Sequence, residues 1–133
     1  MKKEEAFRLA RQGLSFVNAR RNTEAIDYFL RAIALGLVGN DGLYNNLGIA
    51  YAREFCFGKA IRSFETALSL NPGNEQARNN LDEAERNLER LRASHNRMRE
   101  GAGGREFLEQ WIDFETPDGR TIRRTMSEIE SQD

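Results

Sequence analysis

The sequence is poor in the residues that build most metal, redox and disulfide sites. One cysteine, Cys56, and one histidine, His95, occur in 133 residues. A zinc finger or an iron–sulfur cluster needs several such ligands, and an intramolecular disulfide needs two cysteines. We therefore expect a fold without metal, cofactor or disulfide. Cys56 is interpreted as a packed, unreactive thiol, because no histidine or basic cluster adjoins it in sequence.

Long apolar stretches are also missing, and proline occurs only twice. No run approaches the roughly 20 apolar residues that cross a bilayer. The first residues, MKKEEAFRLARQG, carry charges where a signal peptide has an apolar core. These features predict a cytoplasmic protein without a membrane partner.

Neither sign of charge dominates, and the formal net charge is −1. Residues 1–99 hold sixteen Lys and Arg against twelve Asp and Glu, whereas residues 100–133 hold four against nine. A mildly basic body is thus followed by an acidic tail, and the two can attract each other. The positive excess of the body is too small to favour nucleic acid as a partner.

Motifs for catalysis are lacking as well. The sequence contains no glycine-rich phosphate loop, no nucleophile elbow and no metal-ligand spacing. No catalytic residue is predicted, and the chain is not expected to be an enzyme.

What the sequence does contain is an internal repeat with a period of 35 residues. The matched pairs are Gly13 and Gly48, Phe16 and Tyr51, Ala25 and Ala60, Ile26 and Ile61, Phe29 and Phe64, and Ala32 and Ala67. Apolar residues at helical spacing predict helices over 3–18, 23–35, 42–55 and 58–70. Short connections between them predict two stacked αα-hairpins.

The small residues of the repeat suggest how the helices cross. Gly48 is predicted to lie against Ala60, so that the helix axes approach closely, while Tyr51 and Phe64 fill the space beside the crossing. Asn22 or Thr23 is predicted to cap the second helix. These assignments concern packing only and imply no ligand.

A fifth helix is predicted from Glu75 to about residue 99, with Asn74 as its cap. Its apolar side recurs at steps of four and three, as in a helix that packs on another helix: Ala77, Leu81, Ala84, Leu88, Leu91, His95 and Met98. The glycine-rich residues 101–104 end this helix. The domain boundaries that follow are a helical domain over 1–100, a linker over 101–104 and an appendage over 105–133.

The appendage is too apolar for a disordered linker. Its turn signal, Thr116-Pro117-Asp118-Gly119, separates two alternating segments, which predicts a β-hairpin. Residues 105–112 are compatible with a strand or a short helix. Because a lone hairpin is marginal in water, we expect the appendage to dock on the end of the fifth helix, in the same chain or in a homodimer. The docking residues are predicted to be Leu88, Leu91, His95, Met98 and Trp111.

The second copy of the repeat resembles a tetratricopeptide repeat. Eight positions carry the resemblance: Tyr44, Leu47, Gly48, Tyr51, Ala60, Phe64, Ala67 and Pro72. The first copy keeps Gly13, Phe16, Ala25, Phe29 and Ala32, but has Leu9 and Gln12 at earlier positions and lacks the final proline. The resemblance covers residues 5–74, and the helix from Glu75 is similar to the extra helix that caps such arrays. It implies an all-α solenoid of two αα-hairpins with a long carboxy-terminal helix, to which the sequence adds a small β-hairpin or mixed tail.

The resemblance also implies a function. First helices of such repeats line a concave groove that binds a peptide or a helix of a partner protein. The groove residues that it implies here are Ala10, Leu14, Val17, Asn18, Asn45, Asn46, Ile49, Arg53, Asn79, Asn80 and Glu83. A protein-binding adaptor is therefore expected, with a small chaperone for a secreted or assembling protein as the alternative and RNA binding as a third. Of the residues with which chaperone-binding relatives grip a terminal carboxylate, only Asn46 matches.

Overall fold

The computed structural model describes residues 2–102 and 111–133. Five helices come first: α1 (Lys2–Asn18), α2 (Asn22–Ala34), α3 (Asp41–Arg53), α4 (Phe57–Leu70) and α5 (Glu75–Ala102). A hairpin of β1 (Ile112–Glu115) and β2 (Thr121–Arg124) follows, and then a short helix, α6 (Met126–Glu130). The predicted fold class is confirmed, because α1 with α2 and α3 with α4 form consecutive helical hairpins on which the long α5 packs.

The repeat seen in the sequence is also a repeat in space. A Cβ atom on Gly13 would stand 2.7 Å from the ring of Phe29, and one on Gly48 would overlap the ring of Phe64 in the same way. Both phenylalanines are almost fully buried. The atoms nearest to a Cβ at Gly48 belong to Phe64, and not to Ala60, which the sequence pattern placed against it. The phenylalanine ring can lie against the helix backbone only because glycine has no side chain. A close approach of two small residues would depend on the absence of side-chain atoms in the same way.

The ends of the helices agree with the sequence in part. Asn74 caps α5 as predicted, because its Oδ1 accepts a hydrogen bond from the backbone of Ala77 at 3.0 Å. The cap proposed for α2 was wrong. Asn22 is the first residue of that helix, and its amide donates instead to the carboxylate of Glu54, 3.1 Å away.

Two apolar clusters hold the body together. The first joins the repeats through buried residues of α1, α2 and α3, with Leu9, Phe29 and Leu47 among them. The second lies between α4 and α5 and continues into the tail, where Met126 and Ile129 of α6 are buried. Residues 111–133, which we call the tail, therefore share a core with the second repeat of the same chain.

The hairpin follows the alternation of its sequence. Ile112 and Phe114 of β1 are partly buried, whereas Asp113 and Glu115 are exposed. The strands pair in antiparallel register, and Asp113 forms a cross-strand ion pair with Arg123 at 2.8 Å. Gly119, with φ of +86°, completes the turn, since this left-handed conformation favours glycine. Part of the segment 105–112, for which strand and helix were both considered, lies outside the described residues.

Candidate functional site

A depression lies where the two repeats, α5 and the tail meet. We call it the groove cavity; its volume is about 610 Å³, which is in the range of binding sites for small ligands and single peptide side chains. Helix α3 supplies Ile49, Ala52 and Arg53, and α5 supplies residues from Asn80 to Asn87. Arg20, in the loop after α1, and Asn22, the first residue of α2, close one side.

The lining of the groove cavity is divided by chemistry. An apolar part consists of Ile49, Ala52, Phe55, Phe57, Phe64 and Ala84. A polar part on the helices consists of Arg20, Asn22, Arg53, Asn80, Glu83 and Asn87. Aromatic rings beside a few convergent polar groups are the usual lining of a binding site.

The tail forms one wall of the groove cavity. Thr116, Pro117, Asp118 and Arg120, all from the hairpin turn, contribute to the lining. The turn is internally braced, because the backbone of Thr116 donates to the carbonyl of Arg120 at 2.8 Å and Arg120 pairs with Asp118 at 3.0 Å. A wall of this kind was not predicted, since no local pattern tells which surface a hairpin will face.

Several contacts position that wall. The ring of Phe114 stacks on Phe55 with centroids 4.0 Å apart. Arg124 pairs with the buried carboxylate of Glu54 at 3.6 Å and donates to its backbone carbonyl at 3.1 Å. Since Glu54 also accepts from Asn22, this one side chain connects the first repeat, the second repeat and the tail.

Four of the predicted groove residues line the groove cavity, namely Ile49, Arg53, Asn80 and Glu83. The others take different positions. Val17 is buried in the first apolar cluster, Ala10 packs against that cluster, and Leu14, Asn18 and Asn79 are exposed outside the cavity. Asn46 is partly buried and likewise does not line it.

Asn45 has a structural position rather than an open one. It is 3% exposed, and its Oδ1 accepts a hydrogen bond from the amide of Asn80 at 3.0 Å. Its own amide donates toward the Oε1 of Gln76 at 3.5 Å. These amides link α3 to α5, so their hydrogen-bonding capacity is used inside the protein.

This link leads to a prediction for Asn80. Replacing Asn80 by alanine removes the donor to a buried acceptor, which costs about 1–3 kcal/mol. We expect Asn80→Ala to lower the free energy of unfolding by that amount in urea titration followed by circular dichroism. Asn79→Ala, next to it on the exposed side of α5, is the matched control and should stay within about 0.5 kcal/mol of wild type. Equal stability of the two variants would contradict the assigned role of Asn80.

The residues predicted for docking of the tail differ in their burial and in whether they belong to the second apolar cluster. Leu88 and Leu91 belong to the second apolar cluster together with Met126 and Ile129. His95 is buried, whereas Trp111 is 58% exposed. The side chain of Met98 lies outside the described residues. The second apolar cluster also contains residues of α4 that the sequence did not indicate for docking, among them Phe57 and Ile61.

The sequence contains a signal for the start of α6 in the tail. Thr125 and Glu128 form a capping box at the start of α6, in which each side chain accepts a hydrogen bond from the other's backbone. The pattern Thr-x-x-Glu before an apolar residue predicts a helix start.

Cys56 is partly buried and its thiol points to the carbonyl of Glu54 at 3.7 Å. Within the described ranges, no cluster of His, Cys, Asp or Glu has the arrangement of a metal site.

Comparison with known proteins agrees with the geometry. The family model described as tetratricopeptide repeat matches residues 42–74, which contain nearly all of α3 and the whole of α4. No curated protein matches the chain. Among the described residues, no helix has an apolar stretch long enough to cross a bilayer.

Proposed function

Because residues 42–74 match the family model of the tetratricopeptide repeat, we propose that the chain is a non-enzymatic adaptor that binds a segment of a partner protein in the groove cavity. Repeats of this family are in general protein-interaction modules. The observation that carries the proposal is the cavity itself, where aromatic and aliphatic side chains lie beside arginine and asparagine groups. The setting that we propose is cytoplasmic.

The shape of the site favours a short segment over a long wrapped client. A volume of about 610 Å³ holds a few side chains and is closed on one side by the hairpin turn. A chaperone that shields a long segment of its client would need a more extended surface. The tail docks on its own chain, so the site is complete within one copy and the proposal requires no homodimer.

The arginines of α5 support RNA binding less well. Arg92 pairs with Glu130 of α6 at 3.0 Å, and Arg90 donates to Asn87 at 2.7 Å. Acidic residues such as Glu85 and Glu89 are exposed on the same helix. A continuous positive surface, which single-stranded nucleic acid requires, is therefore interrupted.

The proposal is tested by filling the groove cavity without changing its charge. Ala52 lines the cavity in the second half of α3, and Ala52→Leu would occupy part of the apolar space. We expect wild-type protein to capture a set of partner proteins from a lysate of its source cells, and Ala52→Leu to lose that set by at least about tenfold, the change that corresponds to 1.4 kcal/mol. Quantitative mass spectrometry of the captured proteins gives the measurement.

Ala34→Leu is the matched control. Ala34 is exposed on α2 and does not line the groove cavity. This variant should capture the same proteins as wild type. Capture of the full set by Ala52→Leu, with its melting temperature unchanged, would contradict a partner site in the groove cavity.

A further inference from the structure

The groove cavity contains positive charge that the described residues do not neutralise. Arg20 and Arg53 both line it, and neither forms an ion pair with another described residue. Arg120, also in the lining, is paired with Asp118. Glu83 adds one negative charge on the α5 side, so the lining has an excess of one positive charge.

Arg53 is held in place by the fold. Its guanidinium donates to the backbone carbonyl of Val17 at 2.8 Å, which fixes the side chain across the junction between α1 and α3. Burial, and then the neighbouring charge of Arg20, lower the pKa of Arg53. Arg53 is partly buried and Arg20 is exposed, and an anion that binds both guanidinium groups would offset their mutual repulsion.

The apolar lining adjoins these arginines directly along α3. Ile49 and Ala52 precede Arg53 on that helix, and Phe55 follows it at the turn to α4. The lining therefore presents an apolar surface and a cationic group within one helical turn. A ligand that satisfies both carries an apolar side chain next to a carboxylate.

On the basis of the function proposed above, we infer that the groove cavity binds an internal segment of a partner protein in which Asp or Glu adjoins a large apolar residue. The carboxylate lies between the guanidinium groups of Arg20 and Arg53, and the apolar side chain contacts Ile49, Ala52 and Phe55. Arginine pairs favourably with carboxylates through two parallel hydrogen bonds. The Oδ1 of Asn87 accepts from Arg90, but its Nδ2 can donate to the backbone of a chain that continues past the cavity.

A protein segment fits this lining better than a nucleic acid does. A nucleic acid strand would bring a second phosphate close to the first, and Glu83 would repel it. Phosphate binding also does not use the apolar surface formed by Ile49 and Ala52. A single carboxylate with an apolar neighbour uses both parts of the lining.

The test uses the full chain and fluorescein-labelled peptides with acetylated and amidated ends and randomised flanks. Their central pairs are Leu-Glu, Leu-Gln, Leu-Lys and Ala-Glu, and binding is followed by fluorescence anisotropy. We expect the Leu-Glu pool to bind about tenfold more tightly than the Leu-Gln and Ala-Glu pools, as one charged hydrogen-bonded pair or one buried side chain provides. The Leu-Lys pool should bind most weakly.

Two variants identify the arginines. Arg20 has φ of +59°, so Arg20→Asn is chosen because asparagine tolerates this backbone conformation without the charge. Arg20→Asn and Arg53→Gln should each reduce the preference for Leu-Glu over Leu-Gln by at least about threefold, while Leu-Gln binding changes little. Arg11→Gln, an exposed position on α1 outside the cavity, should retain the wild-type preference.

Three results of the peptide titrations would overturn the inference. These are equal binding of the Leu-Glu and Leu-Gln pools, a preference that survives both arginine variants, and no binding of any pool at millimolar peptide. Tighter binding of a single-stranded RNA of random sequence, competing with the Leu-Glu pool, would overturn it as well. Since Ala52→Leu acts by filling space, loss of captured proteins in that variant alone would leave the proposed function standing while the acidic preference failed.

Discussion

Replacing Gly58 by alanine is expected to loosen the tail from the body and to lower the free energy of unfolding by about 2–3 kcal/mol. A Cβ atom at this position would stand 2.5 Å from the carbonyl carbon of Glu130 and from the carbonyl oxygen of Ser131. Both are backbone atoms at the end of α6, so the clash cannot be relieved by a side-chain rotation. Helix α6 would have to move and withdraw Met126 and Ile129 from the second apolar cluster.

The sign of the change in the free energy of unfolding distinguishes two explanations. Gly58 lies in the first turn of α4, and alanine in a helix is ordinarily more stable than glycine by up to about 1 kcal/mol. Local propensity therefore predicts a stabilised protein, whereas contact with α6 predicts a destabilised one. Urea titration followed by circular dichroism separates the two.

A second measurement reports on the tail itself. Arg124 is partly buried and paired with Glu54, so trypsin should cleave after it slowly in the wild type and at least about tenfold faster in Gly58→Ala, in line with a loss of 1.4 kcal/mol or more of docking free energy. Gly39→Ala is the control, because a Cβ atom there meets nothing within 4 Å. Unchanged cleavage and stability in Gly58→Ala would mean that α6 does not lie against α4.

Loosening of the tail should also affect the groove cavity. The hairpin turn that lines the cavity is joined to α6 through Arg124 and Thr125, and Phe114 holds it on Phe55. Displacement of α6 should therefore also move the hairpin turn that forms one wall of the groove cavity. The docking of the tail links the stability of the appendage to the shape of the proposed binding site.

The sequence predicts the repeats well because their pattern is local. Helices α1 to α4 begin and end within two residues of their predicted bounds, whereas α5 continues to Ala102 and α6 was not predicted. Residues such as Gly48 and Phe64 recur at a fixed interval, and a helix of known phase places them on a known face. The turn at residues 116–119 has the same local character, since its sequence alone favours the reversal.

The sequence predicts the residues of the site less well, because the site depends on contacts between distant segments. Glu54 meets Arg124 from 70 residues away, and neither residue carries a pattern that points to the other. Asn45 looked like an exposed groove residue because it lies on α3, yet a hydrogen bond to Asn80 turns it inward. Identical residue types at neighbouring positions can thus serve a ligand or the core, and only tertiary packing decides which.

The second large effect is expected at Gly48, in the crossing of α3 and α4. Gly48→Ala should lower the free energy of unfolding by about 1–3 kcal/mol, although alanine is the better helix former. The added methyl group would overlap the ring of Phe64, which is 1% exposed. A double-mutant cycle with Phe64→Leu isolates this contact, because leucine leaves room where the ring stood. If the ring is the cause, Gly48→Ala should cost at least about 1 kcal/mol less in the Phe64→Leu background than in wild type.

Gly13→Ala, which faces Phe29 in the first repeat, should show the same sign in the same urea titrations. If Gly48→Ala and Gly13→Ala both stabilise the protein, the rings do not rest on the glycines, and the packing assigned to both repeats is wrong.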